Sequence, residues 1–273
     1  MDATQAAEDR ITGPILRRLA ASNRLIVARF VRADALGTPV PALDRTASRI
    51  IASLRLAARQ AVRSTTGLDT EDVQSALAWR VAKVRSLVKI IKARDDPPPL
   101  GMMMALARQQ TAFGSDLVGK VSDALVTAHT DQQEASCGPN QVLIWQPERD
   151  ACVRCLKYAG QYRTAAGEFK AGQSFDPSAP RPEGTLPGPP LHPRCRCELA
   201  VIPKKAAESN SEALQREAQR SILKGWALES ESDAARVRAA QALLASNVVA
   251  PKSVIAETRR RLKAGASFSR DVP

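Results

Sequence analysis

Apolar positions along the first 133 residues recur at helical spacing. Over 14–35, Ile15, Leu16, Leu19, Leu25, Ile26 and Phe30 alternate with basic groups, which predicts a helix. The run GTPVP (37–41) interrupts it. The segment 42–64 is the clearest helix of the chain. At 100° per residue, Ala47, Ile50, Leu54, Ala58 and Ala61 form one face, and Arg45, Arg49, Arg55, Arg59 and Arg63 fall within about a 120° arc opposite. In STTGLDTEDV (64–73), Gly67 can end one helix and Thr70 can cap the next, with Glu71 and Asp72 in its first turn. A second basic amphipathic helix follows over 71–94, carrying Arg80, Lys83, Arg85, Lys89, Lys92 and Arg94. Three prolines in DDPPPLG (95–101) predict a stiff linker, and 102–130 is again helical.

The pattern changes near residue 134. QVLIWQ (141–146) is a strand candidate. Seven prolines and four glycines in 165–193 predict an irregular loop. Helical periodicity returns at 204, with helices expected over 208–224 and 232–246. A last one begins near Pro251, a good first-turn residue, and ends in the basic run RRRLK that holds Arg259, Arg260 and Arg261. The chain shows no internal repeat.

Composition sharpens this picture. Aromatic residues make up only 4% of the 273 residues, while Ala, Leu and Arg are abundant, which favours helices over a large all-β core. The net charge is +12, unevenly spread: residues 1–96 carry +7 and 204–273 carry +5, whereas 134–203 carry only +1. The start MDATQAAEDRITG lacks the pattern of a signal peptide. Apolar runs such as LIVARFV are broken by arginine well short of the roughly 20 residues a membrane span needs. The expectation is therefore a soluble protein made in a reducing cytosol, where its five cysteines would not form structural disulfides.

Four of those cysteines lie in two clusters. ACVRC places Cys152 and Cys155 as C-x2-C. After 36 further residues, PPLHPRCRCEL (189–199) brings His192, Cys195 and Cys197 within six positions. Thiolate and imidazole are the ligands zinc prefers, four in a tetrahedron. A metal cross-link would compensate for the missing core of the proline-rich loop, because binding energy becomes folding energy. The preferred set is Cys152, Cys155, His192 and Cys195, with Cys197 a substitute for His192 or Cys195. If 195–199 is extended, Cys195 and Cys197 share a face, and His192 would then hydrogen-bond to a metal ligand instead of binding the metal. The competing readings are a redox C-x-x-C pair, a Cys/His catalytic pair and incidental buried cysteines. Cys137 fits no spacing and is expected as a buried or free thiol. His129 is expected as a packing or surface residue. The fold expected is mainly α: helical N-terminal (1–133) and C-terminal (204–273) arms flanking a small irregular α+β module (134–203) stapled by one structural Zn2+.

These residues resemble a known family. WQPERDACVRC (145–155), then Gly167, Phe169, Phe175 and Pro177, then PPLHPRCRCEL, look like the phage head morphogenesis domain of minor head proteins similar to the F protein of phage Mu. The match covers 142–199, about a fifth of the chain. The stretch 214–244 is similar to the C-termini of such proteins in phages of high-GC actinobacteria. Where many relatives carry an Arg-Thr-Glu-like helix end, this chain has AHTDQQEAS (128–136). The resemblance implies a virion protein assembled in the host cytoplasm and held inside the head near the portal vertex. Its partners would be the portal protein and the capsid interior or scaffold, and some relatives leave with the DNA on ejection.

The basic helices are compatible with that setting. Arg45, Arg49, Arg55, Arg59 and Arg63, with Arg259, Arg260 and Arg261, could neutralise phosphates of double-stranded DNA without reading sequence or dock an acidic portal surface. The second class considered is a zinc-containing DNA-binding regulator, against which the near-neutral cysteine module counts. The third is an enzyme. With two histidines, no Ser/His/Asp set, no phosphate-cradling glycine loop and no deaminase pattern, no enzymatic activity is expected.

Overall fold

The apolar stripes of the N-terminal half become four helices: α1 (Ala3–Ala35), α2 (Leu43–Ser64), α3 (Thr70–Lys92) and α4 (Leu100–Ser136). The computed structural model describes residues 3–36, 42–94, 96, 98–228, 231–246, 248–265 and 267–272. The predicted break at 37–41, and residues 95 and 97 of the predicted linker, lie outside the described residues.

Two compact units divide the chain, 1–125 and 126–273, with the division falling inside α4. The first is a helical unit whose core follows the predicted periodicities. Ile15, Leu19, Ile26 and Phe30 of α1 meet Ile50, Leu54, Ala57, Ala58 and Ala61 of α2. Val73, Leu77, Val81, Val84 and Val88 of α3 join them, with Leu106, Phe113, Leu117 and Val121 of α4. The first helix starts well before residue 14, so Pro14 lies inside it. Ile11 packs against the core one turn before Ile15, and that burial offsets the hydrogen bond the proline removes. The cap of α3 is Asp69 rather than Thr70: its carboxylate accepts the N–H groups of Glu71 at 2.8 Å and Asp72 at 3.2 Å.

Polar ties give this unit its register. Fully buried Gln110 of α4 donates to Ser22 of α1 at 2.8 Å and to Ser53 of α2. Arg80 of α3 forks onto Asp116 of α4, with Nε to Oδ2 at 3.0 Å and Nη2 to Oδ1 at 3.2 Å.

The second unit mixes a small sheet with helices. After α4 come β1 (Gln141–Gln146), α5 (Val153–Lys157), β2 (Tyr162–Arg163), β3 (Phe169–Lys170), β4 (Thr185–Leu186) and β5 (Glu198–Pro203). A short 3-10 turn then leads to α6 (Ala207–Lys224), α7 (Asp233–Ala245) and α8 (Lys252–Ala264). The predicted strand is β1, central in an antiparallel sheet of order β2-β1-β5, with Gln141 opposite Pro203 and Gln146 opposite Glu198. Within the predicted loop, β3 and β4 pair as a small hairpin.

Two boundaries differ from the sequence expectation. The helix α4 runs unbroken through 133 to Ser136, so no break marks the start of the cysteine-bearing segment. Nor does 204–273 stand apart as an arm. Ala218, Ile222 and Leu223 of α6, Ala239, Ala240 and Leu243 of α7, and Phe268 belong to one core with Leu143, Trp145, Leu156, Tyr158 and the buried cysteines. The physical reason is that α5 and the short strands bury too little on their own, and α6 and α7 cover what remains. Trp145, fully buried, stacks on Tyr158 at 4.7 Å and meets Phe169 edge-on at 5.1 Å. Gly225 ends α6 in the left-handed region at φ 69°, and a Cβ there would lie 2.2 Å from the Phe268 carbonyl oxygen, so only glycine fits. Among the described residues no helix is long and apolar enough to cross a membrane.

The two faces of α2 give a direct test of the helical core. Leu54→Ala, at a fully buried position, should destabilise the protein by about 2–5 kcal/mol. Arg55→Gln, one residue on and exposed, should stay within about 0.5 kcal/mol of the parent. Urea denaturation followed by circular dichroism measures both.

Candidate metal centre

The C-x2-C spacing is used here as a helix cap. Cys152 is the N-cap of α5, with extended backbone at φ −63° and ψ 160°, and its sulfur accepts the Cys155 N–H at 3.5 Å. Residues three apart in a first turn lie on one side of it, so both sulfurs face the same point. On the other side, the Cys195 N–H bonds the His192 carbonyl at 3.0 Å, with Arg194 in the left-handed region at φ 62°. The chain then runs extended into β5. Cys195 and Cys197 point inward, both fully buried, while Arg196 between them turns outward to pair with Asp150. That alternation is the shared face expected of an extended 195–199.

The two halves converge. His192 Nε2 lies 3.2 Å from Cys152 Sγ and 3.1 Å from Cys155 Sγ, and Cys155 Sγ lies 3.7 Å from Cys195 Sγ. The ligand atoms form two triads, Cys152/Cys155/His192 and Cys155/Cys195/Cys197, each with all members within 4.8 Å of one another. Cys155 belongs to both, and either could hold a metal ion. Cys137 belongs to neither group; it is half-buried at the end of α4. His129 lies 4.0 Å from Glu198, in keeping with a packing role.

Three of the edges suit a small tetrahedral site, but no four of these ligand atoms lie within 4.8 Å of one another, so a four-ligand set would have to draw the two triads together. Usual zinc bond lengths imply sulfur–sulfur edges of about 3.8 Å and sulfur–nitrogen edges of about 3.6 Å. The Cys155–Cys195 separation of 3.7 Å matches the first, and the two separations from His192, 3.1 and 3.2 Å, fall slightly inside the second. The imidazole is turned the right way for binding. His192 Nδ1 stands 3.0 Å from the Pro193 carbonyl oxygen, which can only accept. Nδ1 therefore keeps its proton, and Nε2, which faces the sulfurs, is the nitrogen that would lose its proton to bind a metal.

Proton sharing among these groups shows how strongly they are crowded. A hydrogen bond from Cys155 pulls the Cys152 thiol down to about 4, against the opposing effect of burial. The bond with Cys152 in turn lifts His192 to about 9, again against burial. Cys155 is pushed well above its ordinary range, first by its bonds to Cys152 and Cys195, and Cys197 well above by burial. Cys195 is held low, first by the bond from Cys155. Part of the array is thus ready to meet a cation as thiolate, and the remaining protons would leave on binding. The Trp145 indole N–H makes no ordinary hydrogen bond, yet it stands near enough to Cys197 to favour a thiolate there.

Residues beyond both motifs hold the site. Glu231 Oε1 accepts the Val153 N–H at 2.8 Å, at the start of α5. Its other oxygen takes Arg236 Nε at 2.8 Å, and Arg236 Nη2 reaches the Ala151 carbonyl at 2.8 Å. Arg236 is fully buried. Arg238 of α7 forks onto Asp176 at 2.9 and 2.7 Å, holding the loop that follows β3. From the same loop, Phe175 donates its N–H to the Val153 carbonyl at 3.1 Å. Buried Arg163 satisfies the carbonyls of Pro187 at 2.8 Å and of Thr164 and Ala165 at 3.0 Å, and pairs with Glu134. Sequence reading missed Glu231 and Arg236. Their only signal was a charged pair five residues apart, and nothing in it names the turn near 152 as a partner.

The predicted binding arginines fall in different places. Arg45, Arg49, Arg55, Arg59 and Arg63 are all exposed on α2, and Arg259 is exposed on α8. Arg260 pairs with Glu257 at 2.5 Å. Arg261 turns inward instead: it donates to the Lys224 carbonyl at 2.8 Å and to the Phe268 carbonyl, and stacks over the Phe268 ring at 4.9 Å. Its guanidinium is engaged in fastening the segment around Phe268.

Glu231→Gln should leave Arg236 buried without its countercharge, costing about 3–5 kcal/mol, read by thermal denaturation, and should speed metal loss to a chelator. Elemental analysis should find a bound metal ion in the purified chain. Cys152→Ser or Cys155→Ser should lower the amount bound, and acidification should release the metal as the ligands take up protons. Metal-free protein that is well folded would refute the site. Compared with known proteins, the chain matches no protein-family model, no curated protein and no solved structure.

Proposed function

We propose that this chain is a structural minor head protein of a tailed phage, without enzymatic activity, built on a zinc-stapled module. The observation that carries the reading is the meeting of ACVRC with HPRCRC. The two stretches that most specifically resemble the head morphogenesis domain lie 36 residues apart, and the fold brings them to one point. Two of the other resembling residues lie on the same core. Phe169 is buried against Trp145, and Phe175 packs on the same core with Lys157 over its ring at 4.9 Å.

One zinc per chain would be held by Cys152, Cys155 and Cys195 together with His192 or Cys197. When bound, the ion supplies a structural cross-link. The chain's own part is to aim the ligands: the α5 cap orients Cys152 and Cys155, the 192–195 turn orients His192, and Glu231 fixes the start of α5. Burial of Cys155, Cys195 and Cys197 suits ligands better than nucleophiles, which a substrate has to reach.

The partners proposed are the portal protein and the capsid interior or scaffold, with the chain inside the head near the portal vertex after assembly in the host cytoplasm. Quantitative mass spectrometry of purified particles tests this. The chain should be retained in intact heads at a small, fixed ratio to the major capsid protein. Its absence from particles, with the protein free in infected cells, would sink the reading and favour a DNA-binding regulator.

A further inference from the structure

The α2 surface is charged in a way its own fold does not use. The only carboxylate on this helix, Asp44, is taken by Lys92 of α3 at 2.6 Å. That leaves Arg45, Arg49, Arg55, Arg59 and Arg63 without an acid on their own helix. All five are exposed, and none makes a hydrogen bond or ion pair with another described residue. The residues between them in the same arc are Ser48, Ala52 and Leu56, all exposed. The small side chains of Ser48 and Ala52 keep neighbouring guanidiniums open to a flat partner. At the edge of the arc, Arg18 of α1 reaches Gln60 at 3.1 Å and adds a further cation to this surface.

The character of the face separates two kinds of partner. A protein interface concentrates its energy in buried aromatic or aliphatic anchors. Here Leu56, 45% exposed, is the only large apolar side chain in the arc. No aromatic ring is present in the arc on which an unpaired base could stack. What the face offers is a row of planar donors along a rigid rod. From Arg45 to Arg63 the helix rises about 27 Å, the length over which one strand of duplex DNA presents about eight phosphates. We propose that the arginine face of α2 binds double-stranded DNA through its phosphates and without sequence preference. This rests on the surface of α2 alone, so it stands or falls separately from the metal and from the head assignment.

The test uses the full chain and a short labelled duplex of mixed sequence, with binding read by fluorescence anisotropy. Between about 50 and about 200 mM salt the affinity should fall a few-hundred-fold, with a slope of log K on log salt of about −4. The triple variant Arg49→Gln, Arg55→Gln, Arg59→Gln should make that slope shallower by about 2 to 3, with the helical circular dichroism unchanged. A control removing equal charge elsewhere, Lys204→Gln, Lys205→Gln, Lys252→Gln, at exposed positions, should keep the parent slope. An unchanged slope in the triple variant, or equal loss in the control, overturns the proposal. So does tighter binding of single strands than of duplex. Displacement of the duplex by polyglutamate at a lower charge concentration than unlabelled duplex requires would assign the face to an acidic protein surface instead.

Discussion

Burying a thiolate costs several kcal/mol unless a positive charge or good donors meet it, and around Cys155 that cost arises several times over. Three sulfurs are buried within 4.8 Å of one another, and a fourth sulfur and an imidazole press on the same atom. Hydrogen bonding among them offsets part of this by setting Cys152 and Cys195 low and His192 high. The proposed ion would offset more of it, since the four donors that bind would then face one divalent charge. The remainder of the second unit is arranged around that point. Its sheet has a single long pairing, β1 with β5, and β5 begins immediately after Cys197.

The C-terminal helices are therefore not accessories. Through Glu231 and Arg236 they reach the start of α5, and through Arg238 they hold Asp176 in the proline-rich loop. Buried pairs of this kind contribute little net stability over an apolar pair, but losing one partner is costly. Their effect is to make docking of α7 and the geometry of the C-x2-C turn a single event. Asp233 extends the arrangement by accepting the N–H groups of Phe268 at 3.0 Å and Ser269 at 2.6 Å. Phe268 thereby closes the same core.

Much of this was legible in the sequence where one local rule dominates. The α2 faces, the β1 strand and the inward pair Cys195/Cys197 follow from side-chain periodicity alone, and the convergence of the two cysteine clusters from ligand chemistry. The failures have a common cause. Pro14 and residue 133 look like boundaries by local propensity, yet tertiary burial carries α1 through the first and α4 past the second. The helices of 204–272 have ordinary amphipathic patterns, which say that a face is buried and not against what. Arg261 reads as part of a basic run, and only the nearby carbonyls of Lys224 and Phe268 turn it inward. Glu231 and Arg236 act across 78 and 85 residues of sequence, a range at which composition and spacing carry no information.

That long reach also sets an order of events during synthesis. The four N-terminal helices bury their apolar faces mainly against one another, so their unit can close while later residues are still being added. The cysteine-bearing segment cannot. The Val153 N–H has its partner only once Glu231 exists, and Ala151 only once Arg236 does. Until the ribosome has passed α7, the turn that carries Cys152 and Cys155 lacks these two partners. A nascent protein of this sequence would thus hold one formed unit while the second still waited for the residues that fix its sulfur ligands in place.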